Sequence, residues 1–112
     1  MYELTISEEF EAAHRLPDYD GKCCRLHGHN WRVEVAVRGK KLDESGLLID
    51  FKILKSHVAE VLSTLDHHYL NELAAFAAQP PTAEHIARYV YEMLAEKPAF
   101  QTNVKVYAVK VW

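Results

Sequence analysis

Apolar and polar residues alternate along two stretches in the first third of the chain, and the alternation predicts two β-strands. In residues 3–12 the apolar side chains take the even positions, with Glu8 as the single mismatch. Residues 29–38 repeat the pattern, with apolar side chains at Trp31, Val33, Val35 and Val37. Because neighbouring residues of a strand point to opposite faces, each strand is expected to bury one face. The turn-rich residues 15–26 between them predict a hairpin.

The apolar period changes to that of an α-helix in the middle of the chain. After Asp50, which is placed as a helix cap, apolar residues recur every three or four positions, at Phe51, Leu54, Val58, Val61, Leu62 and Leu65. A second helix is predicted after its cap Thr82, where Glu84 in the first turn suits the helix dipole. The apolar stripe of this helix is expected to comprise Ile86, Val90, Met93 and Leu94.

The last segment, residues 104–112, is rich in valine and predicts a third strand. Its valines change parity between Val106 and Val109, which indicates a β-bulge or burial on both faces. The element order ββααβ predicts an α+β fold, in which two helices pack on one face of an antiparallel sheet. We expect residues 1–112 to form a single domain.

Composition narrows the class of protein. The 112 residues are 49% apolar and 26% charged, with a net charge of −3, as in an ordinary globular domain. No basic cluster indicates a nucleic-acid or membrane partner, and no apolar run approaches the roughly 20 residues of a membrane span. Cys23 and Cys24 are adjacent and cannot form a disulfide framework, and the first residues carry no signal-peptide pattern. We therefore expect a cytoplasmic protein.

Histidines on both sides of the predicted hairpin turn indicate a metal site. His27 and His29 are two residues apart in a strand, so both point to one face, and strand pairing brings His14 opposite them. Three imidazoles leave a fourth tetrahedral position open, which is typical of catalytic zinc. Packed or surface histidines remain an alternative. A structural Cys2His2 site with Cys23 and Cys24 is another, although adjacent cysteines strain the usual ligand spacing.

Two further groups are candidates for proton transfer. Cys23 lies four residues before His27, so a folded loop would bring its thiol near the metal, where the reactive thiolate is favoured. The alternative to a reactive thiolate is a small, buried, apolar cysteine side chain, and this alternative fits Cys24 well. Asp66-His67-His68 is expected at the C-terminal end of the first helix, where a carboxylate beside an imidazole can fix the tautomer of the ring. The alternative is a helix C-terminus whose histidine complements the dipole.

Taken together, these segments resemble the 6-pyruvoyl-tetrahydropterin synthase family. The resemblance is carried by residues 10–16 (FEAAHRL), the pattern Cys-x-x-x-His-Gly-His at 23–29, Asp50-Phe51, residues 65–71 (LDHHYLN) and Pro81-Thr82-x-Glu84. It covers nearly the whole chain in order. Within the family, the match is closer to the branch that makes 6-carboxy-5,6,7,8-tetrahydropterin for queuosine biosynthesis.

The resemblance implies roles for individual residues. By position, His14, His27 and His29 correspond to the zinc ligands. Cys23 corresponds to the catalytic thiol, and Asp66 and His67 to its proton-transfer partners. Thr82 and Glu84 lie in a segment that the family places near the pterin. The substrate would be 7,8-dihydroneopterin triphosphate, and the assembly a hexamer of two trimeric rings with active sites between subunits.

One feature of the family has no counterpart in the sequence. The family follows its penultimate strand with a Glu-Thr pair, whose glutamate anchors the pterin, and then a final strand. Here residues 108–112 align with the positions just before that pair. We expect the natural chain to continue, giving ββααββ and the tunnelling fold of the family, because the strand at 104–112 would otherwise leave an apolar edge unpaired.

Three other functions remain as alternatives. A 6-pyruvoyl-tetrahydropterin synthase would share the site and remove only triphosphate from the substrate. A zinc hydrolase would use a metal-activated water, with the thiol incidental. A non-catalytic zinc- or pterin-binding protein would use the same residues without turnover.

Overall fold

The predicted hairpin forms from two long strands. The computed structural model describes residues 1–16 and 25–112, in which β1 is Tyr2–His14 and β2 is His27–Gly39. The strands pair antiparallel along their whole length, with Phe10 opposite Trp31. The predicted alternation is confirmed, since the even positions of β1 and the odd positions of β2 form the buried face over most of the hairpin.

The third strand, β3, is Lys105–Val111, and it pairs antiparallel with β2 to give the order β1-β2-β3 among the described residues. Val37 lies opposite Val106, whereas Ala36 lies opposite Ala108, so Tyr107 is an extra residue. This β-bulge explains the change of parity in the valines.

Both predicted helices are present and capped as expected. Helix α1 is Phe51–Ser63, and the carboxylate of Asp50 accepts a hydrogen bond from Lys52 N at 2.7 Å. Helix α2 is Ala83–Ala95, and the hydroxyl of Thr82 accepts from His85 N at 3.1 Å. Each cap satisfies an amide that has no partner within the helix.

Two residues of the predicted apolar stripes are not in the core. Phe51 is 50% exposed because it occupies the first position of α1, and Met93 is 36% exposed. Successive residues in a helix are turned by about 100°, so the neighbour of the fully buried Leu94 lies at the margin of the stripe. The pattern of apolar and polar residues does not predict three short 3-10 helices, which lie at Leu70–Glu72, Ala74–Phe76 and Pro98–Phe100.

The core lies between one face of the sheet and the two helices. Helix α1 packs against β1 and α2, and α2 packs against β3. The side chains that are fully buried in this layer come from β2, α1 and α2: Val33, Val35, Val37, Leu54, Val58, Ile86, Val90 and Leu94. The α+β prediction is therefore confirmed. Within the described ranges, no helix has the length and hydropathy needed to cross a membrane.

Candidate metal centre and proton-transfer pair

The hairpin places three histidines at the end where residues 15–26 connect its two strands. His14, the last residue of β1, lies opposite His27, the first residue of β2, and His29 lies opposite Ala12. His27 and His29 project from one face of β2 because they are two residues apart. One ring nitrogen from each of the three histidines lies within 4.8 Å of the others. These residues could hold a metal ion, as the strand pattern predicts.

Each of the three rings is fixed by a backbone carbonyl. Nδ1–H of His14 donates to the carbonyl of Pro81 at 2.9 Å, and that of His27 to Arg25 at 2.9 Å. Nδ1–H of His29 donates to Asn30 at 3.0 Å. Since a carbonyl only accepts, the hydrogen of each neutral ring must be on Nδ1, which leaves the lone pair on Nε2. Histidines that bind a metal typically donate their other ring N–H to a carbonyl or a carboxylate in this way.

Two of these Nε2 atoms face each other at about 0.4 Å less than the separation of two nitrogen ligands on one zinc ion. The Nε2 atoms of His14 and His27 are 2.9 Å apart. Two nitrogens bound to one tetrahedral zinc at about 2.0–2.1 Å lie about 3.3 Å apart.

Burial lowers the pKa of His14, and the charges of His27 and His29 lower it further, against the opposing effect of the Pro81 carbonyl. The neutral, ligating form is thus favoured.

The Asp66-His67 pair lies in a turn rather than at the end of a helix. The prediction placed it at the end of the first helix, but α1 ends at Ser63. Oδ1 of Asp66 lies 3.0 Å from Nδ1 of His67 and accepts from Glu11 N at 2.9 Å. The amide of Glu11 foremost, and then His67, lower the pKa of the Asp66 carboxyl. An ionised carboxylate on Nδ1 leaves Nε2 of His67 as the atom that can exchange a proton.

The turn is attached to the open edge of β1. Ala13 N donates to the carbonyl of His68 at 3.1 Å. Further along, the side chain of Asn71 accepts from Arg15 N and donates to Arg15 O, both at 2.8 Å. Residues 66–71 therefore pair with the strand that ends at His14, which fixes their position relative to the three histidines. Neither the hydrophobic pattern nor the spacing of the sequence indicated this attachment.

One cleft is lined by a member of each group. It has a volume of about 540 Å³ and is lined by His29, His67 and Glu11, whereas His14, His27 and Asp66 do not line it. A larger cleft, of about 740 Å³, is lined by Arg38 and Lys40 at the far end of β2, and it contains none of the predicted site residues. The smaller cleft is accordingly the candidate functional site.

The other predicted site residues are placed differently. Thr82 caps α2 next to Pro81, whose carbonyl holds His14, and Glu84 is exposed in the first turn of that helix. Neither of these two side chains lines the cleft between His29 and His67. Cys23, the predicted thiol, and its neighbour Cys24 lie outside the described residues.

Comparison with known proteins gives the class of protein to which this site belongs. The family model described as 6-pyruvoyl tetrahydropterin synthase matches residues 3–112, so the chain belongs to the 6-pyruvoyl tetrahydropterin synthase family. The predicted family is confirmed.

Individual relatives have names that state a particular activity. A 6-carboxy-5,6,7,8-tetrahydropterin synthase of Synechocystis is 42% identical over 101 residues, which is 86% of this chain and 77% of the relative. A putative 6-carboxy-5,6,7,8-tetrahydropterin synthase of Archaeoglobus fulgidus is 42% identical over 92% of this chain and 84% of its own. The solved structure of Caenorhabditis elegans 6-pyruvoyl tetrahydropterin synthase is 28% identical and superposes with a TM-score of 0.76, covering 96% of this chain and 94% of that one.

Proposed function

We propose that this protein converts 7,8-dihydroneopterin triphosphate and one water to 6-carboxy-5,6,7,8-tetrahydropterin, acetaldehyde and triphosphate, as a step of queuosine biosynthesis. One observation carries the proposal: in a chain of this family, a three-imidazole group that could hold a metal and a carboxylate-held imidazole each contribute a histidine, His29 and His67, to one cleft. The names of the Synechocystis and Archaeoglobus relatives favour the carboxy branch.

We propose zinc as the metal, held by His14, His27 and His29 through Nε2. Three neutral nitrogen ligands with an open position suit catalytic zinc, and the Nδ1–carbonyl bonds support this donor set. When bound, zinc supplies Lewis-acid polarisation of a substrate oxygen, which acidifies the neighbouring C–H.

The proton transfers are assigned to residues of the chain. Asp66 keeps the hydrogen of His67 on Nδ1, so that Nε2 gives or takes a proton within the cleft. Cys23, as a thiolate, accepts the proton from the acidified C–H. Its assignment rests on the family pattern at residues 23–29. General acid–base steps of this kind contribute about 10²–10⁴-fold each.

Substrate recognition is proposed to involve more than one subunit. Thr82 and Glu84 are assigned to the pterin, and their position next to Pro81 supports a place near the metal group. Because they do not line the cleft of their own chain, a cytoplasmic hexamer with sites between subunits would bring the two parts together. The edges of β1 and β3 in the described sheet are where such contacts can form.

A second candidate is the 6-pyruvoyl product, which the description of the family model and the name of the Caenorhabditis elegans neighbour favour. The two reactions share the substrate and the loss of triphosphate. Only the carboxy reaction releases acetaldehyde.

Incubation of the natural-length, zinc-loaded protein with 7,8-dihydroneopterin triphosphate, followed by mass spectrometry, tests the proposal. We expect 6-carboxytetrahydropterin and acetaldehyde, whereas a pyruvoyl product without acetaldehyde would select the second candidate. Absence of turnover would contradict both and favour a binding protein.

The thiol is tested with a matched pair of variants. Cys23→Ala should lose about 10²–10⁴-fold in rate, whereas Cys24→Ala should retain activity. Equal activity in both variants would refute the thiolate assignment and favour a zinc hydrolase, in which the thiol is incidental.

A further inference from the structure

We infer that Glu11 is a positioning residue for His67, holding the imidazole from the side opposite Asp66. The inference rests on the proposed function for its effect on turnover, because it assumes that His67 exchanges a proton at Nε2. The contacts that carry it do not depend on the metal or on the substrate.

The backbone of Glu11 contacts both members of the pair. Its amide donates to Oδ1 of Asp66 at 2.9 Å, and its carbonyl accepts from the amide of His67. His67 has a φ of +58°, in the left-handed region that a residue with a side chain occupies only when its surroundings hold it there. The edge of β1 at Glu11 supplies that constraint.

The side chain of Glu11 adds a contact to the ring itself. Oε2 of Glu11 lies 3.5 Å from Nε2 of His67, while Oδ1 of Asp66 lies 3.0 Å from Nδ1. The imidazole is therefore placed between two carboxylates. Because the His67 side chain is 73% exposed, packing does not determine the direction of the ring, and these two contacts do.

The chemical consequence concerns the proton on Nε2. A carboxylate facing Nε2 attracts a hydrogen on that atom and stabilises it there, as Asp66 does on Nδ1. Glu11 and His67 both line the cleft that His29 also lines, so the Nε2–H that Glu11 orients faces this cleft. Glu11 thereby sets where the proton is delivered.

The chain provides a control two residues away. Glu9 lies in β1 on the same face as Glu11 and is exposed, but it does not line the cleft. Glu11→Ala and Glu11→Gln are compared with Glu9→Ala and Glu9→Gln, all in the natural-length zinc-loaded protein. The Gln variant keeps the backbone contacts and the length of the side chain and removes only the charge.

Two measurements are made on each variant: the ¹⁵N signals of the His67 ring by NMR, and kcat and KM for 7,8-dihydroneopterin triphosphate. We expect both Glu11 variants to shift the Nε2 signal. Glu11→Ala should lower kcat about tenfold with KM nearly unchanged, and Glu11→Gln should lower it less. Both Glu9 variants should change neither quantity.

Unchanged ring signals in both Glu11 variants would show that the Glu11 side chain does not hold the His67 ring, whatever the activity of the variants. Shifted signals with an unchanged kcat would overturn the positioning role while leaving the proposed function intact. If the wild-type protein shows no turnover, the proposed function fails, and the NMR result alone then decides whether Glu11 holds His67.

Discussion

Two histidines in this protein face different partners through the same ring atom, Nδ1. Nδ1–H of His14 donates to the carbonyl of Pro81, whereas Nδ1 of His67 lies 3.0 Å from the carboxylate of Asp66. His14 is buried in the sheet, and His67 is largely exposed in a turn. A neutral carbonyl fixes a ring as a neutral ligand, and a charged carboxylate stabilises a ring that takes up a proton. The partner on Nδ1 and the degree of burial thus separate a metal ligand from a proton-transfer group.

The largest effect is expected from removing a metal ligand. His27→Ala should abolish stable metal binding and turnover, because changes to a ligand's supporting shell alone cost about 10–100-fold in affinity. Metal content is measured by elemental analysis after dialysis. His85→Ala, a histidine of α2 outside the group, is the control and should retain its metal. Equal metal content in both variants would contradict the assignment.

Removing the charge of Asp66, the partner of His67, should lower turnover and leave metal binding intact. Asp66→Asn keeps an oxygen that accepts from Glu11 N, but it no longer stabilises a protonated His67. We expect a fall in kcat of at least about 10²-fold, with metal content unchanged. The exposed Glu72→Gln serves as the control. Loss of metal in Asp66→Asn would show that the two groups are not separable.

The lowered pKa of Asp66 predicts a dependence of stability on pH. Because the folded pKa lies below the ordinary value of 3.8, the carboxylate's contribution is present above that value and lost as pH falls through the folded pKa. The Tm advantage of the wild type over Asp66→Asn should therefore be steady near neutral pH and shrink below about pH 4. A constant difference down to pH 2 would argue against the hydrogen bonds at Asp66.

The smallest effect concerns the carbonyl that holds His14. Thr82 caps the helix that begins just after Pro81, so Thr82→Ala should destabilise the protein by about 1 kcal/mol and weaken metal binding slightly. Thr82→Ser keeps the hydroxyl and should restore both quantities. Chemical unfolding and metal titration measure them. No difference between Ala and Ser would mean that the cap does not contribute to the position of Pro81.

The sequence predicted the parts of the site that depend on regular structure. Strand parity placed His27 and His29 on one face, and a hairpin around residues 15–26 then brought His14 opposite them, as the strand pairing confirms. It could not place His67, because the attachment of its turn to β1 depends on backbone groups of Glu11 and Ala13, and such groups have no sequence signature. For the same reason, the hydrogen bond between His14 and the carbonyl of Pro81 could not be predicted from the sequence. Glu11 was visible only as one polar residue on an exposed face.

The proposed metal centre has three imidazole ligands and no sulfur ligand. X-ray absorption spectroscopy of the natural-length protein, purified with its metal, measures the ligands directly. We expect zinc with nitrogen and oxygen ligands only, at about 2.0–2.1 Å, including three imidazoles. A sulfur ligand at about 2.3 Å would contradict it, because Cys23 or Cys24 would then belong to a structural site and the thiol would not be free for proton transfer.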